Sequence, residues 1–212
     1  MARPGDQGGG WERSIAEALA AGQPVADTRF DRLFGPALQR LAALHFTPVA
    51  VALKAAAWLT GGGAAEVADL GAGAGKLCLV GAASTGARFT GIEQRPGLVQ
   101  VARDAARRMG LDRAQFVQGD LRTVPLHRYQ AFYVYDPFSE PGAGPDEWLD
   151  PCPPTVDREA DVARLLERLA AAPAGTRAAL FCGLGGPTPP GYRLVETIAV
   201  NERGDALECW ER

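Results

Sequence analysis

Up to residue 60 the apolar positions recur at three- and four-residue steps, and beyond it they fall into short runs separated by helical stretches. Residues 11–21 read as an amphipathic helix stopped by Gly22 and Pro24. Phe30, Leu33, Phe34, Leu38, Leu41 and Leu44 keep the helical step, so residues 31–44 predict a second helix, with Pro36 near its start or at a break. Thr47 and Pro48 offer an N-cap and a first-turn proline for a third helix running to Leu59 and ended by Gly61, Gly62 and Gly63. From there the pattern predicts a short strand opening the 66–80 segment and further strands at 88–93, 114–120, 131–138 and 176–181. Helices fall between them: one after the glycine turn of 66–80, one over 96–109 ended by Gly110, and one over 156–172 ended by Pro173. Alternating strands and helices argue for right-handed crossovers and a mostly parallel sheet. Residues 192–200 and 206–210 alternate apolar and polar positions around the turn 201–205, which predicts a terminal antiparallel hairpin. Residues 1–10, rich in glycine, are expected to be disordered, residues 11–60 to form helices covering a site, and residues 61–212 to form the core.

Composition narrows the class without choosing a chemistry. A chain of 212 residues with 47% hydrophobic and 22% charged positions suits one well-buried α/β domain. A net charge of −3 provides no global attraction to nucleic acid or to an anionic membrane. Arg103, Arg107, Arg108 and Arg113 cluster around a helix C-terminus, where cations complement the helix dipole. The four cysteines are scattered without a C-x-x-C pair, and His45 and His127 are the two histidines, so no metal site is expected. The start lacks the apolar core of a signal peptide, and the apolar run 49–59 is interrupted by Lys54 and too short to span a bilayer. Reduced thiols and a cytoplasmic location are the expectation.

The most informative segment is 66–80, a short buried strand, a glycine turn and a helix start. Gly71, Gly73 and Gly75 remove side chains where the backbone must bend and approach a ligand, and the amides that follow favour negative charge. The spacing is G-x-G-x-G, with Lys76 where a dinucleotide fingerprint has its third glycine. Asp69, at the end of the strand, would repel a pyrophosphate and suits a cofactor carrying an ammonium group. S-adenosylmethionine is such a cofactor. A nicotinamide-dependent dehydrogenase would share the strand, turn and second acid, but conflicts with Asp69, Lys76 and the final hairpin.

In order and over most of the chain, these segments resemble the class I, seven-stranded S-adenosylmethionine-dependent methyltransferases. The resemblance implies a three-layer Rossmann-like α/β fold, a mostly parallel seven-stranded sheet ending in an antiparallel hairpin. It also implies cofactor roles: Asp69 with Gly71, Gly73 and Gly75 at the methionine end, Glu93 with Gln94 at the ribose, and Asp120 with Leu121 at the adenine. His45-Phe46-Thr47-Pro48 is similar to the F-T-P segment of amino-directed DNA methyltransferases and some protein lysine methyltransferases. There Phe46 and Thr47 would close over the cofactor; the helix-cap reading explains Thr47 and Pro48 equally well.

Tyr135-Asp136-Pro137-Phe138 carries the question of substrate. It resembles the [N/D/S]-P-P-[Y/F/W] motif of methyltransferases acting on amino groups, with one proline missing. By that resemblance Asp136, which also faces the cofactor, accepts a hydrogen bond from an amine, Phe138 walls the pocket, and Asp136, Tyr135 or solvent takes the proton. The chemistry asks little else, because in-line displacement at a methyl on positive sulfur depends on holding two groups close and aligned. The expected acceptor is an amine on a protein, such as lysine, or on a small molecule, rather than a nucleic acid. A binder that kept the fold without the chemistry is the second reading. No sequence feature specifies an oligomeric state.

Overall fold

The computed structural model describes residues 10–138, 144–150 and 155–212. Residues 1–9, most of the segment expected to be disordered, lie outside them. Helix α1 (Gly10–Ala20) is followed by α2 (Asp27–Phe30), α3 (Pro36–His45) and α4 (Val49–Thr60). The core then runs β1 (Glu66–Leu70), α5 (Lys76–Ser84), β2 (Arg88–Glu93), α6 (Pro96–Met109), β3 (Ala114–Gln118) and β4 (Ala131–Val134). Helix α7 (Arg158–Ala170) leads into β5 (Arg177–Phe181) and the hairpin β6 (Arg193–Ala199) and β7 (Ala206–Glu211).

The seven strands lie in the order β3-β2-β1-β4-β5-β7-β6. The first five pair in parallel, and β7 runs antiparallel to both β5 and β6. This order reverses between β1 and β4, so the C-terminal ends of β1, β2 and β4 open onto one crevice at the topological switch point. Helices α1, α4, α5 and α6 cover one face, with Phe89, Leu59 and Ile15 fully buried between the layers. On the other face α7 packs Leu165 and Leu169 against Phe132, Leu180 and Trp210. The β3–β4 connection carries no helix, and Leu126 and Tyr129 fill that place.

Several local expectations are corrected. The helix expected over 31–44 is two pieces: a 3-10 turn at Asp31–Leu33 and then α3. Phe34 and Gly35 are extended because a residue that closely precedes a proline ring is pushed out of the helical region, and Pro36 then starts α3 at its first turn. Thr47 does not cap α4. Pro48 occupies the cap position, and the Val49 amide donates instead to Asp27 Oδ1 at 2.8 Å. Helix α7 starts at Arg158, not 156, because the Asp157 side chain accepts from the Ala160 amide and sets the boundary. Strands β3 and β4 end at Gln118 and Val134, so Asp120 and Asp136 sit in the turns beyond them. The arginine cluster stands as expected, with Arg107 and Arg108 in the last turn of α6; Arg103 donates to Phe116 O, the exposed Arg107 pairs with Asp104, Arg108 reaches Leu33 O, and Arg113 reaches Thr85 O.

Candidate cofactor and acceptor site

The three glycines of the β1–α5 turn all have positive φ, and each answers a different need. A Cβ on Gly71 would lie 2.4 Å from Pro137 Cβ, so the exit turn of β4 rests directly on it. A Cβ on Gly75 would lie 2.3 Å from the Phe116 ring, which makes Gly75 a packing position behind the turn. A Cβ on Gly73 would meet nothing within 4 Å, because Gly73 faces an open cleft. The turn is held from below, where the Gly71 and Ala72 amides donate to Ile92 O at 3.0 and 3.1 Å.

The cleft encloses about 1090 Å³, open to solvent, at the switch point of the sheet. Of the site residues expected from the sequence, all but Gly75 line it. Asp69 forms its floor with 4% of its surface exposed, and among the described residues its one side-chain hydrogen bond is from the Cys78 thiol at 3.6 Å. Among the described residues no cation pairs with it. Burial pushes its carboxyl up to about 7, and the nearby Glu93 charge adds to the effect. Glu93 is equally buried but satisfied: it accepts from the Gly73 amide at 2.9 Å and from Arg95 Nε at 2.8 Å. Gln94 lines the cleft beside it. Asp120 is clasped by Arg122, whose hydrogen bonds hold its carboxyl below the usual range, and Leu121 follows with its carbonyl taken by Arg168.

The N-terminal segment supplies the roof. Phe46 packs edge-on against Phe34 with ring centroids 5.1 Å apart, and Thr47 Oγ1 shares a 2.7 Å hydrogen bond with the Tyr133 hydroxyl. Tyr135 donates from its hydroxyl to Leu44 O at 3.2 Å, stacks 4.6 Å from Phe181, and has its phenol pushed up to about 12 by burial. Asp136 follows with φ +22°, a strained backbone for a non-glycine residue, and its carboxylate accepts from Arg158 Nη1 at 2.6 Å. Phe138 lines the cleft with one side and is otherwise buried in the α7 face of the core.

Four polar residues of this site were not anticipated. Lys76, noted only as a departure from the fingerprint, is buried with its ammonium on Asp27 and Asp31. Arg95 and Arg122 each fold back on the acid two residues earlier, an acid-x-Arg spacing that is visible at both strand ends. Arg158 had no local signal pointing to Asp136.

The site fits S-adenosylmethionine on two structural grounds: the buried, cation-free Asp69 suits an ammonium, and the open space at Gly73 lets a ligand touch the backbone. Residues 63–138 match the family described as a methyltransferase domain. No curated protein sequence matches the chain. Among solved structures, TrmN from Thermus thermophilus superposes with a TM-score of 0.56 at 21% identity, over 82% of this chain and 52% of its own. The chain thus spans about half the length of TrmN. A putative O-methyltransferase from Klebsiella pneumoniae gives a TM-score of 0.58 at 12% identity, over 93% and 96% of the two chains. MtNAS, crystallised with S-adenosylmethionine, gives 0.56 at 13% identity, over 95% and 72%. The fold is the Rossmann-like fold that these methyltransferase structures share, and residues 63–138 carry the match to a methyltransferase domain.

Proposed function

We propose that the protein is an enzyme that transfers a methyl group from S-adenosylmethionine to an amino group, on a protein side chain such as lysine or on a small molecule. The observation that carries the cofactor reading is Asp69, a carboxylate buried without a cation at the floor of the cleft. When bound, S-adenosylmethionine supplies an electrophilic methyl on positively charged sulfur. Asp69 receives the cofactor's ammonium, Gly73 leaves room for its backbone contact, Glu93 accepts from the ribose hydroxyls, and Asp120 with Leu121 borders the adenine. Glu93 and Asp120 do so by exchanging an arginine for the ligand, since Arg95 and Arg122 hold them now.

The acceptor side rests on Asp136. A carboxylate on the cleft wall attracts and orients an amine, and Tyr135 and Phe138 bound the space around it. The amine must arrive neutral, its nitrogen lone pair forming the new C–N bond as the carbon–sulfur electron pair stays on sulfur. The proton released from nitrogen goes to Asp136 or to water. Phe46 and Thr47 cover the methionine end and exclude solvent from it. A second reading, a cofactor binder without transfer, is favoured by the 2.6 Å pair of Arg158 with Asp136, which occupies the carboxylate an amine would need.

The experiment is methyl transfer from radiolabelled S-adenosylmethionine into cell lysate, separated into protein, nucleic-acid and small-molecule fractions. Acid-stable label in protein or a small amine is the expected result. Label confined to nucleic acid, or to base-labile oxygen esters, refutes the amine assignment. Tight binding with no transfer to any fraction supports the second reading.

A further inference from the structure

Lys76 is placed against electrostatic preference. It is the first residue of α5, where the helix dipole disfavours a cation, and its side chain is only 3% exposed. Two carboxylates compensate: Asp27 Oδ1 and Asp31 Oδ1 each lie 2.6 Å from Nζ. The Phe30 ring sits 5.6 Å from the same ammonium. Asp27 Oδ1 also accepts from the Val49 amide, so a single oxygen joins the N-terminus of α4 to the first residue after the glycine turn. The stretch between His45 and Val49 is thereby held at its α4 end. Around it lie the Thr47–Tyr133 hydrogen bond, the Leu44 carbonyl on Tyr135, the His45 ring nitrogen 2.6 Å from Glu147 O and the Phe46 ring on Phe34.

We infer that Lys76, Asp27 and Asp31 are positioning residues that latch residues 44–47 over the cleft, and that release of this latch sets how fast the cofactor and its demethylated product exchange. The inference rests on the cofactor reading proposed above. Residues 44–47 all line the cleft, between the glycine turn and the strand ends, so a ligand on Asp69 and Gly73 is enclosed by them. Among the links that hold them there, the trio is the one built of paired charges. Asp27, with its side chain 46% exposed, is the member of the trio nearest solvent and the point where the latch opens.

The test uses Asp27→Asn and Asp31→Asn, which keep shape and hydrogen bonding and remove one charge each. Hydrogen exchange is followed on the protein without cofactor, and release of S-adenosylhomocysteine is followed by stopped flow. The expected result is about tenfold faster exchange at the Phe46, Thr47 and Val49 amides with β1 and β4 amides unchanged, and about tenfold faster product release. Equal acceleration of exchange in β1 and β4 would show that the trio merely stabilises the fold and would overturn the latch. Faster local exchange with an unchanged release rate would overturn its control of ligand exchange. If the wild-type protein binds no S-adenosylhomocysteine, the cofactor reading fails, a result distinct from either outcome in the variants.

Discussion

Replacing Asp69 with asparagine should stabilise the protein without ligand and weaken the ligand complex, because one buried charge is responsible for both effects. The carboxyl is fully buried and shifted from 3.8 to about 7, mainly by desolvation. In the folded protein it therefore holds a proton that the unfolded chain has already lost, across the window from about pH 4 to about pH 7. Its favourable contribution is complete below pH 4 and disappears as pH rises through 7. At 1.36 kcal/mol per unit, that loss amounts to roughly 4 kcal/mol over the window, of which roughly 3 kcal/mol falls between pH 5 and pH 8. Asparagine has the same outline and no charge, so its stability has no such slope. The advantage of Asp69→Asn in thermal unfolding should widen from pH 5 to pH 8 by about 5–10 °C for a domain of this size. Titration calorimetry should give the opposite sign for S-adenosylmethionine, with roughly 1.5–3 kcal/mol lost as a charge-assisted hydrogen bond disappears. Below pH 7 the wild type should also release a proton on binding, visible as a buffer-dependent enthalpy that the variant lacks. A melting difference that stays constant between pH 5 and pH 8 would show that Asp69 is not the strained carboxylate described here.

The glycine turn separates folding from binding: Gly71→Ala should lower melting temperature, since its Cβ would meet Pro137 at 2.4 Å, whereas Gly73→Ala should fold and bind S-adenosylmethionine poorly. Comparable melting and affinity losses in the two variants would contradict that division. Glu93→Ala should weaken S-adenosylmethionine binding by roughly 1.5–3 kcal/mol, measured by calorimetry, because it removes both the ribose acceptor and the partner of the Gly73 amide. Asp136→Ala should lower turnover on the order of 10²-fold with cofactor affinity nearly unchanged, and Asp136→Asn should retain activity if hydrogen bonding alone orients the amine. Wild-type turnover in Asp136→Ala would move the acceptor site elsewhere.

What was legible in the sequence was local. The strand, glycine turn and helix of 66–80 announce themselves because period, backbone bend and acid fall within fifteen adjacent positions. Glu93 follows from the same logic, as the acid ending a buried run. Pairings between distant segments leave no such trace: Lys76 meets Asp27 across 49 positions, Thr47 meets Tyr133 across 86, and Arg158 meets Asp136 across 22. Thr47 shows the cost of a local reading. A Thr-Pro pair before a helix has the form of a cap, yet Asp27 reaches the Val49 amide first, and the threonine hydroxyl is left to bond the buried Tyr133 hydroxyl of β4. Gly75 errs in the other direction, since three glycines in one turn look equivalent until Phe116 is found against the third.

The charges around the cleft follow a division of labour. Glu93 and Asp120 sit at the ends of β2 and β3, and each is closed by the arginine two positions on. A guanidinium on a short tether satisfies a carboxylate while the site holds no ligand, and side-chain rotation is enough to release it. In the proposed cofactor assignment, the ribose and adenine ends are therefore closed by groups that can exchange for ligand atoms. Asp69 has no such tethered partner: Gly71 stands two positions on, in a turn where any side chain would strike Pro137. The closeness of Pro137 to the turn thus has an electrostatic consequence, because among the described residues it leaves the Asp69 carboxylate with only a thiol for company. A cation arriving from solution is the remaining way to stabilise that charge, and a ligand that brings its own ammonium supplies it. The same Pro137 follows Asp136, which enters the cleft on a strained backbone, so the residue that isolates Asp69 also fixes where Asp136 points, the acid proposed to face the acceptor.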